Sequence, residues 1–134
     1  MLNSGIYLDY NSTTPVLPEV LERMLPYFSH DFGNASSSTH AMGWRAKAAV
    51  DLAREEVATL IGASFEEIIF TSGATESINL AITGAFEVYG KSRNHIVTIA
   101  TEHAAVLETC SKLQSSGAII IILPVMADGT ISID

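Results

Sequence analysis

The spacing of apolar residues along this chain predicts two helices in its first half. Between residues 42 and 61, apolar side chains recur at intervals near 3.6, at Ala46, Ala49, Val50, Ala53, Val57 and Leu60. This spacing is typical of an amphipathic helix, and Gly62 is expected to end it. An earlier helix is predicted from about Pro18 to Phe28, and a short strand near residues 6–9.

The second half of the chain alternates between strand-like and helix-like stretches. Apolar runs predict strands at residues 67–71, 95–100 and 118–123, and helical patterns fill residues 75–89 and 102–115 between them. This βαβαβ order predicts an α/β fold with an incomplete, mostly parallel sheet. The middle helix carries an apolar stripe that is expected to face the sheet, at Ile78, Ala81, Ile82, Ala85, Phe86 and Tyr89.

The end of the sequence is expected to lie inside a domain. Asp128 and Gly129 predict a turn, and the last four residues resemble the approach to a further helix that Ser132 or Asp134 would cap. An incomplete sheet leaves a strand edge unpaired, and the apolar run 118–123 is of the kind that pairs with another chain. Self-association is therefore expected.

Composition and charge exclude several classes of partner. With 134 residues, 48% of them hydrophobic and 16% charged, the chain has the apolar content of a globular protein. Its formal net charge of −8 opposes binding to nucleic acid and to anionic membranes. One cysteine excludes an internal disulfide, and the four histidines lack partners at metal-ligand spacing, so no metal site is expected. We expect a soluble, cytoplasmic protein.

A phosphate-binding turn is predicted where the first strand of the βαβαβ segment meets its helix. The run Thr71-Ser72-Gly73-Ala74-Thr75-Glu76 follows three apolar residues and opens a helical pattern. Gly73 allows close backbone approach, and the first N–H groups of a helix lack helical acceptors and favour an anion. The Ser72 and Thr75 hydroxyls add uncharged donors. The alternative is that Ser72 or Thr75 merely caps an ordinary helix.

His103 is the candidate for proton chemistry. The strand-like run from His95 to Ile99 leads into Thr101-Glu102-His103, which puts His103 beyond the carboxyl end of a strand. In doubly wound α/β folds ligands bind at that edge, where the phosphate-binding turn also lies. An imidazole there can stack on a flat cofactor ring or transfer protons near neutral pH. The alternative is a solvent-exposed neighbour of a helix cap.

Four segments together resemble the NifS/IscS-type cysteine desulfurases, which belong to the class V aminotransferase group. They are IYLDYNSTTP from Ile6, FGNASSSTH from Phe32, FTSGATESIN from Phe70 and TEHAAVLETC from Thr101. Their order and approximate spacing are those of the family's motifs, and together they extend along nearly the whole chain. The resemblance implies the N-terminal part of a pyridoxal-phosphate-dependent transferase fold of the aspartate aminotransferase type.

The resemblance also implies a domain division and roles for individual residues. Residues 1–62 would form an N-terminal segment, and residues 63–134 the first part of the large cofactor-binding domain. Ala74 and Thr75, with the backbone at Gly73, would bind the phosphate of pyridoxal phosphate. His103 would stack over the pyridine ring and assist proton transfer.

The activity that the resemblance implies is the conversion of L-cysteine to L-alanine in a homodimeric enzyme. Persulfide sulfur would pass to an iron–sulfur scaffold protein. A selenocysteine lyase, or another enzyme of the same group, is a close alternative.

Three groups that the family needs match nothing in this chain. They are the lysine that carries the cofactor, the aspartate that pairs with the pyridine nitrogen, and the cysteine that accepts sulfur. Lys47, Lys91 and Lys112 are predicted to be solvated, and Cys110, on a helical pattern, to be a small buried side chain. The chain alone is therefore expected to lack turnover. The competing hypothesis is a noncatalytic fragment that self-associates or binds a partner.

Overall fold

The computed structural model describes residues 5–131 of the chain. The chain divides into two compact units, Met1–Ile68 and Ile69–Asp134. The helix cap expected at Ser132 or Asp134 lies outside the described residues. Within the described range, no helix is both long and apolar enough to cross a membrane, and no three His, Cys, Asp or Glu residues form a group that could hold a metal ion.

The first unit contains two α-helices and one short 3-10 helix. Helix α1 spans Pro18–Ser29, helix α2 spans Ala41–Ile61, and the 3-10 helix spans Phe65–Glu67. Both predicted α-helices are confirmed to within one residue at each end. Gly62 ends α2 in the left-handed conformation, with φ of 70°, and its N–H donates to carbonyls of the last turn.

The polar loop before α2 packs closely against the first turn of that helix. His40 is the N-cap, and its Nδ1 accepts a hydrogen bond from the Gly43 N–H at 3.2 Å. A Cβ at Gly43 would collide with the Ser37 carbonyl, and a Cβ at Gly33 with the Met42 carbonyl. The two glycines therefore let the loop backbone lie directly against the helix.

The second unit is a two-stranded parallel sheet with two helices. Helix α3 spans Ala74–Tyr89, strand β1 spans His95–Ile99, helix α4 spans Ala104–Gln114, and strand β2 spans Ile119–Leu123. The strands pair in parallel, from His95 opposite Ile119 to Ile99 opposite Leu123. The two predicted helices and the last two predicted strands are therefore confirmed.

Two other predicted strands are wrong for the described residues. Residues 6–9 are irregular, and the strand predicted at 67–71 is replaced by the end of the 3-10 helix and an irregular segment. Ile68 does have an extended backbone, with φ of −92° and ψ of 120°. A strand also needs a neighbour to complete its hydrogen bonds, and the sheet of the described residues contains only β1 and β2. The predicted βαβαβ segment is therefore observed as αβαβ.

The core of the second unit lies along α4. Cys110 is only 1% exposed, and Ala105, Leu113 and Ala118 are also buried. The buried Thr109 hydroxyl donates to the Ala105 carbonyl at 2.6 Å. The predicted burial of Cys110 is confirmed, and this burial raises the pKa of its thiol. Cys110 therefore acts as a packing residue in this unit.

Many large apolar side chains remain exposed. The apolar stripe of α3 is only partly covered. Its half-buried members are Ile78, Ile82 and Phe86, and its exposed members are Ala81, Ala85 and Tyr89. Exposed apolar residues also occur on α1, α2 and both strands, among them Leu21, Leu25, Leu60, Val97 and Ile122. Apolar surface of this extent is typical of faces that other protein covers.

Replacing Gly43 with alanine is expected to destabilise the chain by about 1–3 kcal/mol. The added methyl group meets the Ser37 backbone, which cannot turn away as a flexible side chain can. Gly84→Ala is the matched control, because Gly84 lies within α3 with open space around an added Cβ. That control should gain up to about 1 kcal/mol of helix propensity. Denaturant unfolding followed by circular dichroism measures both, and equal stabilities would contradict the close packing of the loop on α2.

Candidate functional site

The turn at residues 71–76 begins helix α3. Gly73 is the N-cap, with an extended backbone of φ 159° and ψ −176°. The first helical hydrogen bond runs from the Ser77 N–H to the Gly73 carbonyl at 3.1 Å. The N–H groups of Gly73, Ala74 and Thr75 precede that bond and, like the N–H of Glu76, lack helical acceptors. Within residues 5–131, no acceptor is found for these three donors.

Glu76 closes this turn from within the helix. Its Oε2 accepts hydrogen bonds from the Ser72 hydroxyl at 2.7 Å and from the Ser72 N–H at 2.6 Å. The bond from the hydroxyl and then the bond from the N–H lower the pKa of Glu76, so the carboxylate is ionised at neutral pH. The sequence suggested that the Ser72 hydroxyl donates to a bound anion. In the structure this hydroxyl donates to Glu76 instead.

Two further hydroxyls hold the peptide group that joins Gly73 to Ala74. Thr71 Oγ1 and Ser77 Oγ lie 2.6 Å apart, and 3.3 and 3.2 Å from the Gly73 carbonyl oxygen. One hydroxyl donates to the other, and the second donates to the carbonyl. The Gly73 carbonyl and the Ala74 N–H belong to one planar peptide group and point in opposite directions. Holding the carbonyl therefore also fixes the direction of the Ala74 N–H.

The turn has the donors and the space that a phosphate group requires. A Cβ added at Gly73 meets no atom within 4 Å, so a ligand can approach the backbone there. Thr75 is exposed, and its carbonyl accepts a hydrogen bond from Asn79 Nδ2 at 2.9 Å. Three backbone N–H groups and one hydroxyl lie at the positive end of the α3 dipole. These residues fit the phosphate of pyridoxal phosphate.

The basic residues of the second unit lie away from this turn. Between residues 69 and 134 the sequence has three cations, Lys91, Arg93 and Lys112. Two of them follow the end of α3, and Lys112 lies in the last turn of α4. Within this unit, an anion at the turn would therefore be bound by backbone N–H groups and hydroxyls.

His103 begins helix α4, beyond the carboxyl end of β1. It is the N-cap, and its Nδ1 accepts a hydrogen bond from the Ala105 N–H at 3.1 Å. A neutral imidazole that accepts at Nδ1 carries its proton on Nε2. The side chain is exposed. His103 is therefore exposed at a helix start, as the alternative interpretation held, but it is the cap itself and not a neighbour of the cap. Its second nitrogen remains available for a ligand.

The turn and His103 lie at the same end of the second unit. Helices α3 and α4 pack against each other. Residues at the carboxyl ends of both helices, including Lys91, Lys112 and Ser116, line one cleft. Since their carboxyl ends share this cleft, the helices run side by side in the same direction. Their N-termini, at Gly73 and His103, therefore lie at the opposite end.

The three lysines are exposed, as predicted. Lys47 forms an ion pair with Asp51 one turn later on α2. Lys91 and Lys112 line the cleft at the carboxyl ends of α3 and α4. Neither of these two lies at the end of the unit that carries the turn.

The role of Glu76 was not predicted from the sequence. In a standard capping box, a serine pairs with the third helical residue, as Ser64 does when its N–H donates to Glu67 Oε2 at 2.7 Å. Ser72 pairs instead with a carboxylate four positions later, because an extended glycine separates it from the helix. The Ser-x-x-x-Glu spacing around a glycine was the available signal.

Comparison with known proteins identifies the family. Residues 6–134 match the class V aminotransferase family. The chain belongs to this family, whose members depend on pyridoxal phosphate.

Individual relatives are cysteine desulfurases. The chain is 53% identical over 133 residues to the cysteine desulfurase IscS of Rickettsia akari (strain Hartford), covering 99% of this chain and 32% of the relative. It is 56% identical over 124 residues to the cysteine desulfurase IscS of Anaeromyxobacter sp. (strain Fw109-5), covering 92% of this chain and 31% of the relative. The chain thus spans about a third of the length of these curated relatives.

Solved structures show the same similarity. A NifS-like protein superposes with a TM-score of 0.83 at 40% identity, over 95% of this chain and 35% of its own. A structure described as SspA in complex with cysteine superposes with a TM-score of 0.77 at 41% identity, over 89% of this chain and 34% of its own. These similarities confirm the predicted α/β class and the resemblance to NifS-like enzymes.

Proposed function

We propose that this chain supplies the N-terminal part of a pyridoxal-phosphate-dependent cysteine desulfurase. The observation that carries the proposal is the start of α3, where three N–H groups without acceptors in residues 5–131 lie in an open turn. The substrate would be L-cysteine, since relatives at over 50% identity are cysteine desulfurases and one similar structure holds cysteine. The products would be L-alanine and a protein persulfide, whose sulfur passes to an iron–sulfur scaffold protein.

The residues of the second unit would divide the work between binding and proton transfer. The N–H groups of Gly73, Ala74 and Thr75, with the Thr75 hydroxyl, would hold the cofactor phosphate. When bound, pyridoxal phosphate withdraws electrons from the α-carbon of an amino acid. His103 would lie over the ring and transfer a proton at Nε2. The neutral ring that accepts at Nδ1 already carries its proton on Nε2, so taking up a proton there requires the other tautomer, which releases the hydrogen bond from the Ala105 N–H.

Within the whole enzyme, we assign residues 1–62 to the N-terminal segment and residues 63–134 to the first part of the large cofactor-binding domain. The two compact units of the structure divide slightly later, after Ile68. The lysine that carries the cofactor and the cysteine that accepts sulfur would come from outside this chain. The chain alone would therefore lack turnover. Its single cysteine fits the reducing conditions of the cytoplasm.

A second candidate function is that of a noncatalytic, self-associating chain. The exposed apolar residues of both units favour it, because surface of this kind promotes association. Homo-oligomer formation is common to the two candidates. Turnover by a full-length protein that carries this chain separates them: alanine released from cysteine supports the enzyme, and its absence in a folded, cofactor-loaded protein supports the noncatalytic chain.

Thr75→Val in such a full-length protein is expected to weaken cofactor binding by about 1–2 kcal/mol. The substitution removes one hydroxyl hydrogen bond to a charged group and keeps the side-chain shape. Thr83→Val is the matched control, because Thr83 lies on the same helix but lines the cleft at its other end. Equilibrium titration with pyridoxal phosphate measures both affinities. If Thr75→Val binds as tightly as the control, Thr75 is only a residue of the first helical turn.

A further inference from the structure

We propose that Glu76 is the positioning residue of the anion-binding turn. Its carboxylate holds Ser72 so that the N–H groups of Gly73, Ala74 and Thr75 face the ligand. The inference rests on the proposed function of those three N–H groups. It adds a residue that would not touch the phosphate and would act through the shape of the turn.

The geometry of the turn carries this inference. Glu76 Oε2 accepts both hydrogen-bond donors of Ser72, its N–H and its hydroxyl, at 2.6 and 2.7 Å. Distances this short are typical of hydrogen bonds to an ionised acceptor. The two bonds tie the residue before the extended Gly73 to the first turn of α3. The backbone between these anchors, which carries the N–H groups of Gly73, Ala74 and Thr75, has little freedom left.

Glu76 is negatively charged, so it cannot help to bind an anion by electrostatic attraction. A carboxylate beside an anion site repels the anion, and the three basic residues of the second unit lie at or beyond the carboxyl ends of α3 and α4. A neutral residue at this position would favour the anion more by charge alone. A geometric contribution that outweighs the repulsion accounts for a glutamate here.

Two substitutions with equal charge separate geometry from electrostatics. Glu76→Gln and Glu76→Ala both remove the negative charge, but only glutamine keeps an oxygen that can accept from Ser72. The pair Glu87→Gln and Glu87→Ala is the matched control, because Glu87 is exposed on the same helix near its other end. Circular dichroism is the check that each variant of the 134-residue chain retains its helices.

The first measurement follows the Ser72 amide proton by nuclear magnetic resonance. Loss of a short hydrogen bond to a carboxylate should move this resonance upfield in Glu76→Ala, more than any resonance outside residues 71–77. Glu76→Gln should lie between wild type and the alanine variant. A Ser72 resonance unchanged in Glu76→Ala would overturn the proposal, whether or not the turn binds anions.

The second measurement titrates the chain with inorganic phosphate and follows the amide resonances of Gly73, Ala74 and Thr75. Glu76→Ala should bind phosphate about fivefold more weakly than Glu76→Gln, the scale of one hydrogen bond that orders the site. The two Glu87 variants should agree within twofold. Equal affinities of the two Glu76 variants would overturn the positioning role. If wild type and all variants leave the three resonances unchanged, the proposed phosphate site fails, and the Ser72 shift still decides whether Glu76 holds the turn.

Discussion

Replacing His103 with alanine is expected to lower the turnover of a full-length protein that carries this chain by about 10²–10⁴-fold. The expected loss is that of a proton-transfer group at Nε2. Cofactor affinity should fall much less, because the proposed phosphate-binding turn at Gly73 belongs to a different helix. Steady-state kinetics with L-cysteine and a cofactor titration measure the two effects separately.

His103→Asn is the control that separates catalysis from helix capping. His103 caps α4 through its Nδ1 bond to the Ala105 N–H. Asparagine is a good N-cap residue, whereas alanine at this position should cost about 0.5–2 kcal/mol of stability. The account predicts that His103→Asn keeps stability and loses the same turnover as His103→Ala. If His103→Asn restores turnover, the histidine serves only as a cap.

The second large effect concerns covalent chemistry on the chain itself. After incubation with pyridoxal phosphate and reduction with borohydride, the 134-residue chain should carry no dominant modified lysine. It should also release no alanine from cysteine. Lys47, Lys91 and Lys112 are exposed, and the latter two lie at the end of the second unit that is opposite the turn. Mass spectrometry of peptides and an alanine assay measure both outcomes.

Lys47 serves as the internal reference for this experiment. It is exposed and paired with Asp51, so its labelling reports the reactivity of an ordinary surface lysine. The account would be contradicted if Lys91 or Lys112 were modified stoichiometrically, well above the labelling of Lys47, and alanine were formed. Cofactor chemistry would then belong to the cleft at the carboxyl ends of α3 and α4.

Local sequence patterns predicted the elements that depend on local physics. The helices α1 to α4 follow from apolar spacing, and Gly62 ends α2 because glycine readily adopts a left-handed conformation. The turn predicted at Asp128 and Gly129 also forms, with the Gly129 N–H donating to Met126 at 2.9 Å. Each of these features is stabilised by residues within a few positions of one another.

The strand predicted at residues 67–71 failed for the opposite reason. Its β-rich sequence favours an extended backbone, but a strand forms only when a neighbour accepts its hydrogen bonds. Strands β1 and β2 pair with each other, whereas residues 68–71 have no neighbouring strand in the sheet of the described residues. The half-exposed α3 stripe has a related cause, because α3 packs mainly against α4 and the sheet of the described residues has only two strands.

The candidate site was predictable in position but not in its internal bonding. The run from Thr71 to Glu76 indicated a turn at a helix start, and the structure places α3 there, beginning at Ala74. The sequence did not indicate which donors were already used. Both hydrogen-bond donors of Ser72 are bonded to Glu76. Only three-dimensional geometry shows that the backbone N–H groups of Gly73, Ala74 and Thr75 are left for a ligand. The role of His103 as a cap also depended on its rotamer, which sequence does not determine.

The central claim is that the start of α3 binds the phosphate of pyridoxal phosphate in a cysteine desulfurase. A crystal structure of the cofactor-loaded full-length protein tests it most directly. The account predicts phosphate oxygens about 2.7–3.2 Å from the N–H nitrogens of Ala74 and Thr75, with the His103 ring over the pyridine ring. A phosphate bound elsewhere, with these two N–H groups facing only solvent, would contradict it.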